Sequence, residues 1–294
     1  MVYRFIKLLY KKLVPPGVKI KLINTVLFQK LATKIYIGVE KTFHIEVHIA
    51  EHCNLKCKYC SHFSPLADES YLSPEEFEKD ILQLSKITKN LQQIILLGGE
   101  PLLHPRIVDF ITIAKKYFSN TGVMIITNGI PLLKQSESFW ECCKNNKVII
   151  SISYYPIKLN YDEISKMAAK YNVSIAYSLG REDGMIKLPL DLKGGKNYKR
   201  NFKKCGFGGT CVTLRSGKLF TCPTSAHIQF FNAYFDKNLE INEADYIDIY
   251  KVKDVNEIFK FLQQPVPFCR YCNMDGQIRN LKWEVSKKEI SEWT

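Results

Sequence analysis

The sequence predicts an α/β fold built on a parallel sheet. Three observations carry this. Short β-branched runs such as FHIEVHIAE and QQIILL recur along residues 43–177. Segments with helical spacing of apolar residues separate them. Each run ends in a glycine- or polar-rich turn, as strands feeding crossover helices do.

Taken in order, residues 43–51 alternate apolar and polar and read as the first strand. A cysteine-rich loop follows. Ser73-Pro74-Glu75-Glu76 then gives a helix start, with serine as N-cap, proline at the first helical position and glutamate at the third. Phe77, Ile81, Leu84 and Thr88 continue one face of that helix. QQIILL, ending at Gly98-Gly99, is a buried strand. A helix over 105–118, the strand GVMIITNG, a helix over 134–145, the strand KVIISIS, a helix over 161–171 and the strand VSIAYS complete the alternation. Beyond residue 180 it stops. VTL and KLFT flank Arg215-Ser216-Gly217 and suggest a β-hairpin. A stretch without clear pattern leads to CRYC at 269–272, and residues 277–294 read as a polar helix with Trp283 and Trp293 as anchors. The expected organisation is a basic helical extension (1–42), the α/β core (43–200) and a cysteine-bearing module (201–294).

The chain of 294 residues has ordinary apolar and charged fractions and a net charge of +13. No apolar run reaches the roughly 18–20 residues of a membrane span. The basic start lacks a continuous apolar stretch and a small-residue cleavage site, so no signal peptide is expected and the protein reads as cytoplasmic. In that compartment ten cysteines point to metal binding or catalysis rather than disulfides. Residues 1–39 hold eight Lys/Arg and no acid; packing against the core is their expected role, with peripheral membrane contact as the alternative. Lys187–Lys204 holds seven basic residues against Asp191 and suits either solvent or an anionic substrate. Neither stretch carries a nucleic-acid-binding motif, and no nucleic-acid partner is expected.

The chemistry concentrates in HCNLKCKYCSHF. Cys53, Cys57 and Cys60 have C-x3-C-x2-C spacing directly after the first strand, where α/β sheets place ligands. Three thiolates in eight residues wrap one face of an iron–sulfur cube and leave one iron open. The alternative is zinc, with His52 or His62 as fourth ligand.

C-x3-C-x-aromatic-C, with Tyr59 at the aromatic position, resembles the radical S-adenosylmethionine (radical SAM) superfamily. Gly98-Gly99-Glu100-Pro101 at the end of the second strand resembles that family's GGEP motif, and Thr127-Asn128-Gly129 ends the third strand in the typical way. The likeness spans residues 43–180. It implies a partial (β/α)6 TIM-like barrel, with a [4Fe-4S] cluster on Cys53, Cys57 and Cys60. S-adenosyl-L-methionine would chelate the open iron. It implies that the Gly98-Gly99 backbone holds the methionine amino group and that Glu100 supports the ammonium or orients the loop. Glycines there let backbone approach a ligand closely. Ser151, or Ser153, would reach the methionine carboxylate or ribose, and Arg181 would pair the carboxylate. An electron from a flavodoxin- or ferredoxin-type donor would cleave the sulfonium, and the resulting 5′-deoxyadenosyl radical would take a hydrogen atom from substrate.

Cys205, Cys222, Cys269 and Cys272 supply four thiolates, suited equally to a closed cubane or to zinc. After such a core, C-x11-G-x4-C followed by C-x2-C resembles the auxiliary modules called SPASM and twitch, and implies a second [4Fe-4S] cluster. No cysteine follows Cys272, so the shorter twitch form fits. Cys211 is an extra thiol that is either structural or an alternative ligand. Cys142 and Cys143, at a helix end, read as structural, as does His227; His104 reads as a cap or packing residue and His62 as bordering the site. The expected function is oxidation of a small sugar- or cyclitol-like molecule. Radical SAM peptide modification or epimerisation, and a non-enzymatic zinc protein binding nucleic acid, are the alternatives.

Overall fold

The computed structural model describes residues 42–177 and 184–294. The basic extension 1–41 and Arg181 lie outside them. Five parallel strands alternate with helices: β1 (Phe43–Ala50), α1 (Pro74–Ile87), β2 (Leu91–Gly98), α2 (Ile107–Tyr117), β3 (Gly122–Thr127), α3 (Glu137–Asn145), β4 (Ile149–Ile152), α4 (Tyr161–Tyr171) and β5 (Ser174–Tyr177). Their order in the sheet is the chain order, so each crossover helix returns to the neighbouring position.

Local signals start these helices. Ser73 forms the full capping box with Glu76, and Pro74 sits at the first turn. Ser136 caps α3 and Asn160 caps α4. Asn172 ends α4 in the left-handed conformation. Alternation then decides the faces. Ile45, Val47 and Ile49 of β1 join Ile94, Leu96, Val123, Ile125, Ile150 and Ile152 in the core beneath Phe77, Ile81, Phe110 and Trp140. Glu46 and His48 turn to the other face, as does Ser151 of β4.

The second half of the chain is joined to the first through the sheet. After β6 (Met185–Lys187) comes α5 (Tyr198–Lys204), so the expected boundary at 200 falls inside a helix. The hairpin β7 (Thr213–Arg215) and β8 (Lys218–Phe220) is present, turning through Ser216 and Gly217 with positive φ. It is no appendage: β7 pairs parallel with β1 at Glu46↔Thr213, and β9 (Tyr246–Asp248) extends the same sheet beyond β8. The full order is β5-β4-β3-β2-β1-β7-β8-β9.

The patternless stretch holds two helices, α6 (Pro223–Phe235) and α7 (Val255–Leu262). In α6, Thr224, Ser225, Ala226, His227, Ile228 and Phe231 are all buried, so no single apolar stripe marks it. The polar helix expected over 277–294 is absent. Ile278–Leu281 is strand β10, antiparallel to β6, and the segment then runs extended to one short turn at Ile290–Glu292. Asn280 and Lys288 have positive φ, which an α-helix does not accommodate. A second apolar cluster, with Phe63, Phe231, Phe268, Tyr271 and Trp293, packs this half against the cysteine loop. No helix among the described residues is long and apolar enough to cross a membrane.

Candidate active site and its two cysteine groups

The first cysteine group sits beyond the carboxyl end of β1. Lys56 and Tyr59, between the cysteines, and Phe63 just after them have left-handed backbone at φ of 50°, 64° and 57°. Non-glycine residues adopt this rarely, and here it curls the loop so that the three thiols face one another. All ten cysteines are free. Burial pushes the Cys53 thiol up to about 11 and the Cys57 thiol to about 12, and neighbouring sulfurs add to both shifts; burial raises Cys60 as well. Three neutral thiols in one partly buried loop are matched to a cation, which would deprotonate its thiol ligands. The loop therefore fits the cluster implied for it.

Gly98 and Gly99 are required, for a reason the sequence did not suggest. A methyl group on Gly98 would overlap the Ala50 carbonyl, and one on Gly99 the His52 carbonyl. Gly98 also has φ of 153°, a region left to glycine. The glycine backbone lies against the cysteine loop: Gly99 N–H donates to Ala50 O at 2.8 Å and Glu100 N–H to His52 O at 3.1 Å. Pro101 opens the short turn that follows. Glu100 is fully buried and works as a staple between loops. Its Oε1 accepts from Thr127 Oγ1 (2.6 Å) and Leu102 N (3.0 Å), its Oε2 from Asn128 N (2.8 Å). Burial raises its carboxyl to about 7 against the opposing pull of these donors. Asn128 Nδ2 in turn donates to Asn54 Oδ1 at 2.7 Å, inside the cysteine loop. The three strand-end segments are thus one hydrogen-bonded unit.

Ser151 pairs with Ile126 and Ala176 in the strand register, and Ser153 N–H donates to Thr127 O at 2.8 Å beside that unit. Tyr59 lies under the Lys58 ammonium, 5.2 Å from ring centre to Nζ. His104 bridges Leu72 O and Arg106 N as a packing and capping residue. Cys143 is buried in the core and Cys142 lies beside Asn146 at the same helix end.

The second group gathers from four places. Cys205 follows α5, Cys222 caps α6, and Cys269 and Cys272 flank a short turn. Their thiols interact electrostatically with one another, which adds to burial in raising Cys222, Cys269 and Cys272. Asn201 Nδ2 holds the C-x2-C turn by donating to Cys269 O at 2.9 Å and to Cys272 O. Cys211 faces Glu46 and, of the four, interacts with Cys222. It stands at the rim of the group.

Sequence reading missed a polar knot beside the loop. Glu51 accepts from Arg215 and meets His48 Nδ1 at 3.1 Å and His227 Nδ1 at 3.6 Å. Burial opposes ionisation of Glu51, but His48 and Arg215 hold it below the usual carboxylate range. His62 packs edge-on against His48, ring centres 4.7 Å apart, and burial keeps both His62 and His227 well below the normal imidazole value. His48 and Glu51 also line a cavity of about 490 Å³ with Tyr71, Asp80, Arg215 and Tyr250. The signal was His48 alternating onto the face opposite Val47 in β1. Among the described residues, His48, Glu51 and His227 form the one trio of potential ligands with donor atoms within 4.8 Å of each other.

Residues 47–172 match the family model of the radical SAM superfamily. This stretch of the chain is similar to the radical SAM domain. A domain of that type implies S-adenosylmethionine and one [4Fe-4S] cluster, for which Cys53, Cys57 and Cys60 are the thiols this loop offers. Curated relatives include a GTP 3′,8-cyclase from Helicobacter pylori, 30% identical over 152 residues, which are 51% of this chain and 45% of the relative. The GTP 3′,8-cyclase of Chlorobaculum tepidum is 33% identical over 98 residues, 33% of this chain and 29% of the relative. The chain thus spans less than half the length of these relatives. Among solved structures, BtrN in complex with AdoMet and 2-DOIA superposes with a TM-score of 0.50 at 16% identity, covering 78% of this chain and 92% of that one. That likeness supports an α/β fold with a mostly parallel sheet.

Proposed function

We propose that this protein is a radical SAM oxidoreductase that removes hydrogen from a small polar molecule of the sugar or cyclitol class. The observation that carries this is the gathering of Cys205, Cys222, Cys269 and Cys272, two buried and two half-buried, into one group next to the radical SAM domain. Four thiols around one cluster leave no open metal position, so such a group transfers electrons rather than binding substrate.

The roles of the chain's own residues follow. Cys53, Cys57 and Cys60 hold the first cluster and leave one position for S-adenosylmethionine. Gly98 and Gly99 bring the second strand's end onto the cysteine loop, and Glu100 locks that junction to Thr127 and Asn128. Ser151 or Ser153 offers a hydroxyl beside the same strand ends, and Arg181 is assigned to the methionine carboxylate. When bound, the first cluster and S-adenosylmethionine supply one-electron sulfonium cleavage and hydrogen-atom abstraction. The auxiliary group takes up the second electron of an oxidation. A small acidic electron carrier of the flavodoxin or ferredoxin kind is the expected partner. In the basic run, Arg200 and Lys204 pair with exposed Asp275, leaving a cationic rim suited to an anionic substituent on the substrate.

Anaerobic purification and reconstitution tests the proposal. Two cubanes give about eight iron and eight sulfide per chain, and dithionite with S-adenosylmethionine then yields 5′-deoxyadenosine. Zinc without sulfide would end it. A second reading, a purine nucleotide as substrate, is favoured by the curated relatives named GTP 3′,8-cyclase. Deuterium transfer into 5′-deoxyadenosine from labelled GTP, but not from labelled sugars or cyclitols, would replace the first reading with the second.

A further inference from the structure

The segment that replaces the expected terminal helix lies directly on the first cysteine loop. Trp283 Nε1 donates to Cys57 Sγ at 3.1 Å, and the Tyr155 hydroxyl reaches the same sulfur. The backbones pair beside it. Lys58 N–H donates to Glu284 O at 2.9 Å, Ser286 N–H donates to Lys56 O at 2.8 Å, and Cys57 and Val285 form an antiparallel bridge. Lys58 Nζ meets Glu284 Oε2 at 2.7 Å. Ten residues on, Trp293 Nε1 donates to Cys60 O at 2.9 Å. Between these points the segment braces itself. Buried Glu292 accepts from Ser286 Oγ (2.6 Å) and Lys287 N (2.7 Å). Trp293 O accepts from Leu190 N–H at 2.6 Å, and Leu190 is bridged to Cys272.

We propose that residues 283–293 are a clasp on the first cysteine loop, and that Trp283 is a positioning residue that tunes the reduction potential of the cluster held there. The proposal rests on the assignment of that cluster to Cys53, Cys57 and Cys60. Indole N–H is a donor only, and a thiol is a poor acceptor for it. The thiolate of a cluster is a good one, and it gains charge when the cluster is reduced. A hydrogen bond to such a sulfur stabilises the reduced state more than the oxidised one and raises the potential. Trp283 therefore makes the first cluster easier to reduce. By its link through Leu190 to Cys272, the same segment also fixes the first loop relative to the second group.

The test compares the reconstituted full chain with Trp283→Phe, which keeps an aromatic ring beside Tyr155 but loses the N–H along with part of the indole's volume. Potentiometric titration followed by electron paramagnetic resonance is expected to show the first cluster's midpoint moved to more negative potential. Iron and sulfide content and the second cluster's midpoint stay unchanged. An unmoved first midpoint at full loading overturns the tuning role. Hydrogen–deuterium exchange of the unaltered full chain, with metal content measured alongside, tests the clasp itself and decides should the variant not load. Lys58 and Ser286 amides are expected to exchange slowly. Exchange at the rate of unprotected peptide overturns the clasp, whatever metal the protein holds. Zinc without sulfide would sink the functional proposal and leave the exchange result standing.

Discussion

The two cysteine groups are built in opposite ways. Cys53, Cys57 and Cys60 come from one loop, shaped by left-handed backbone at Lys56 and Tyr59 and fastened from outside. Cys205, Cys222, Cys269 and Cys272 come from the end of α5, the start of α6 and a distant turn, and meet only when the second half of the chain has folded. A local set keeps its geometry from backbone turns and suits a centre with an open position. A distributed set depends on tertiary packing and suits a centre enclosed on every side.

Cysteine replacement gives the largest contrast. Cys57→Ala is expected to abolish 5′-deoxyadenosine formation and to leave about four iron per chain on the second group. Cys272→Ala is expected to lose about the same amount of iron while 5′-deoxyadenosine still forms. If either variant lost both clusters, the two groups would be one folding unit. The next effect is at the junction below the first loop. Gly98→Ala adds a methyl group against Ala50 O at a φ that alanine rarely adopts. It should cost about 3 kcal/mol by urea denaturation.

Proton linkage at Glu100 separates the groups by pH. Burial raises its folded value from 4.5 to about 7, so the folded state binds the proton more tightly than the unfolded state. This contribution to stability is present in full below pH 4.5, falls as pH rises toward 7 and is flat above. Urea midpoints across that range should show the decline, and Glu100→Gln should remove it. The smallest effect belongs to the second group. Asn201→Ala leaves the Cys269 and Cys272 carbonyls without their donor, costing about 2 kcal/mol. Slower recovery of the second cluster on reconstitution, with the first unaffected, is the accompanying measurement.

Much of the core was legible because its signals are local. Ser73, Pro74 and Glu76 specify the start of α1 within four residues, and the alternation of Ile45, Val47 and Ile49 assigns the faces of β1. The cysteine spacing and Gly98-Gly99-Glu100-Pro101 pointed to the site for the same reason. The purpose of the glycines was not legible, since the atoms they avoid belong to Ala50 and His52, far off in sequence. Helix α6 was hidden by burial on nearly all sides. Arg215 and His227 could not be paired with Glu51 before β7 was known to lie beside β1. Trp283 and Trp293 were noticed as anchors, but pairing with the cysteine loop has no periodicity to reveal it.

The parallel contact of β7 with β1 has one more consequence. Glu46 N–H donates to Val212 O at 2.7 Å, so β1, the strand that begins the α/β core, is not an edge. A chain cut near residue 200 would bare the middle of that strand, opening the backbone groups around Glu46, while Ile49 O and Glu51 N–H stay paired with Leu72 and Ser70. Such an edge templates another strand. The excised half should therefore self-associate into aggregates rather than persist as a small monomer, and the hairpin serves as its molecular guard against misassembly.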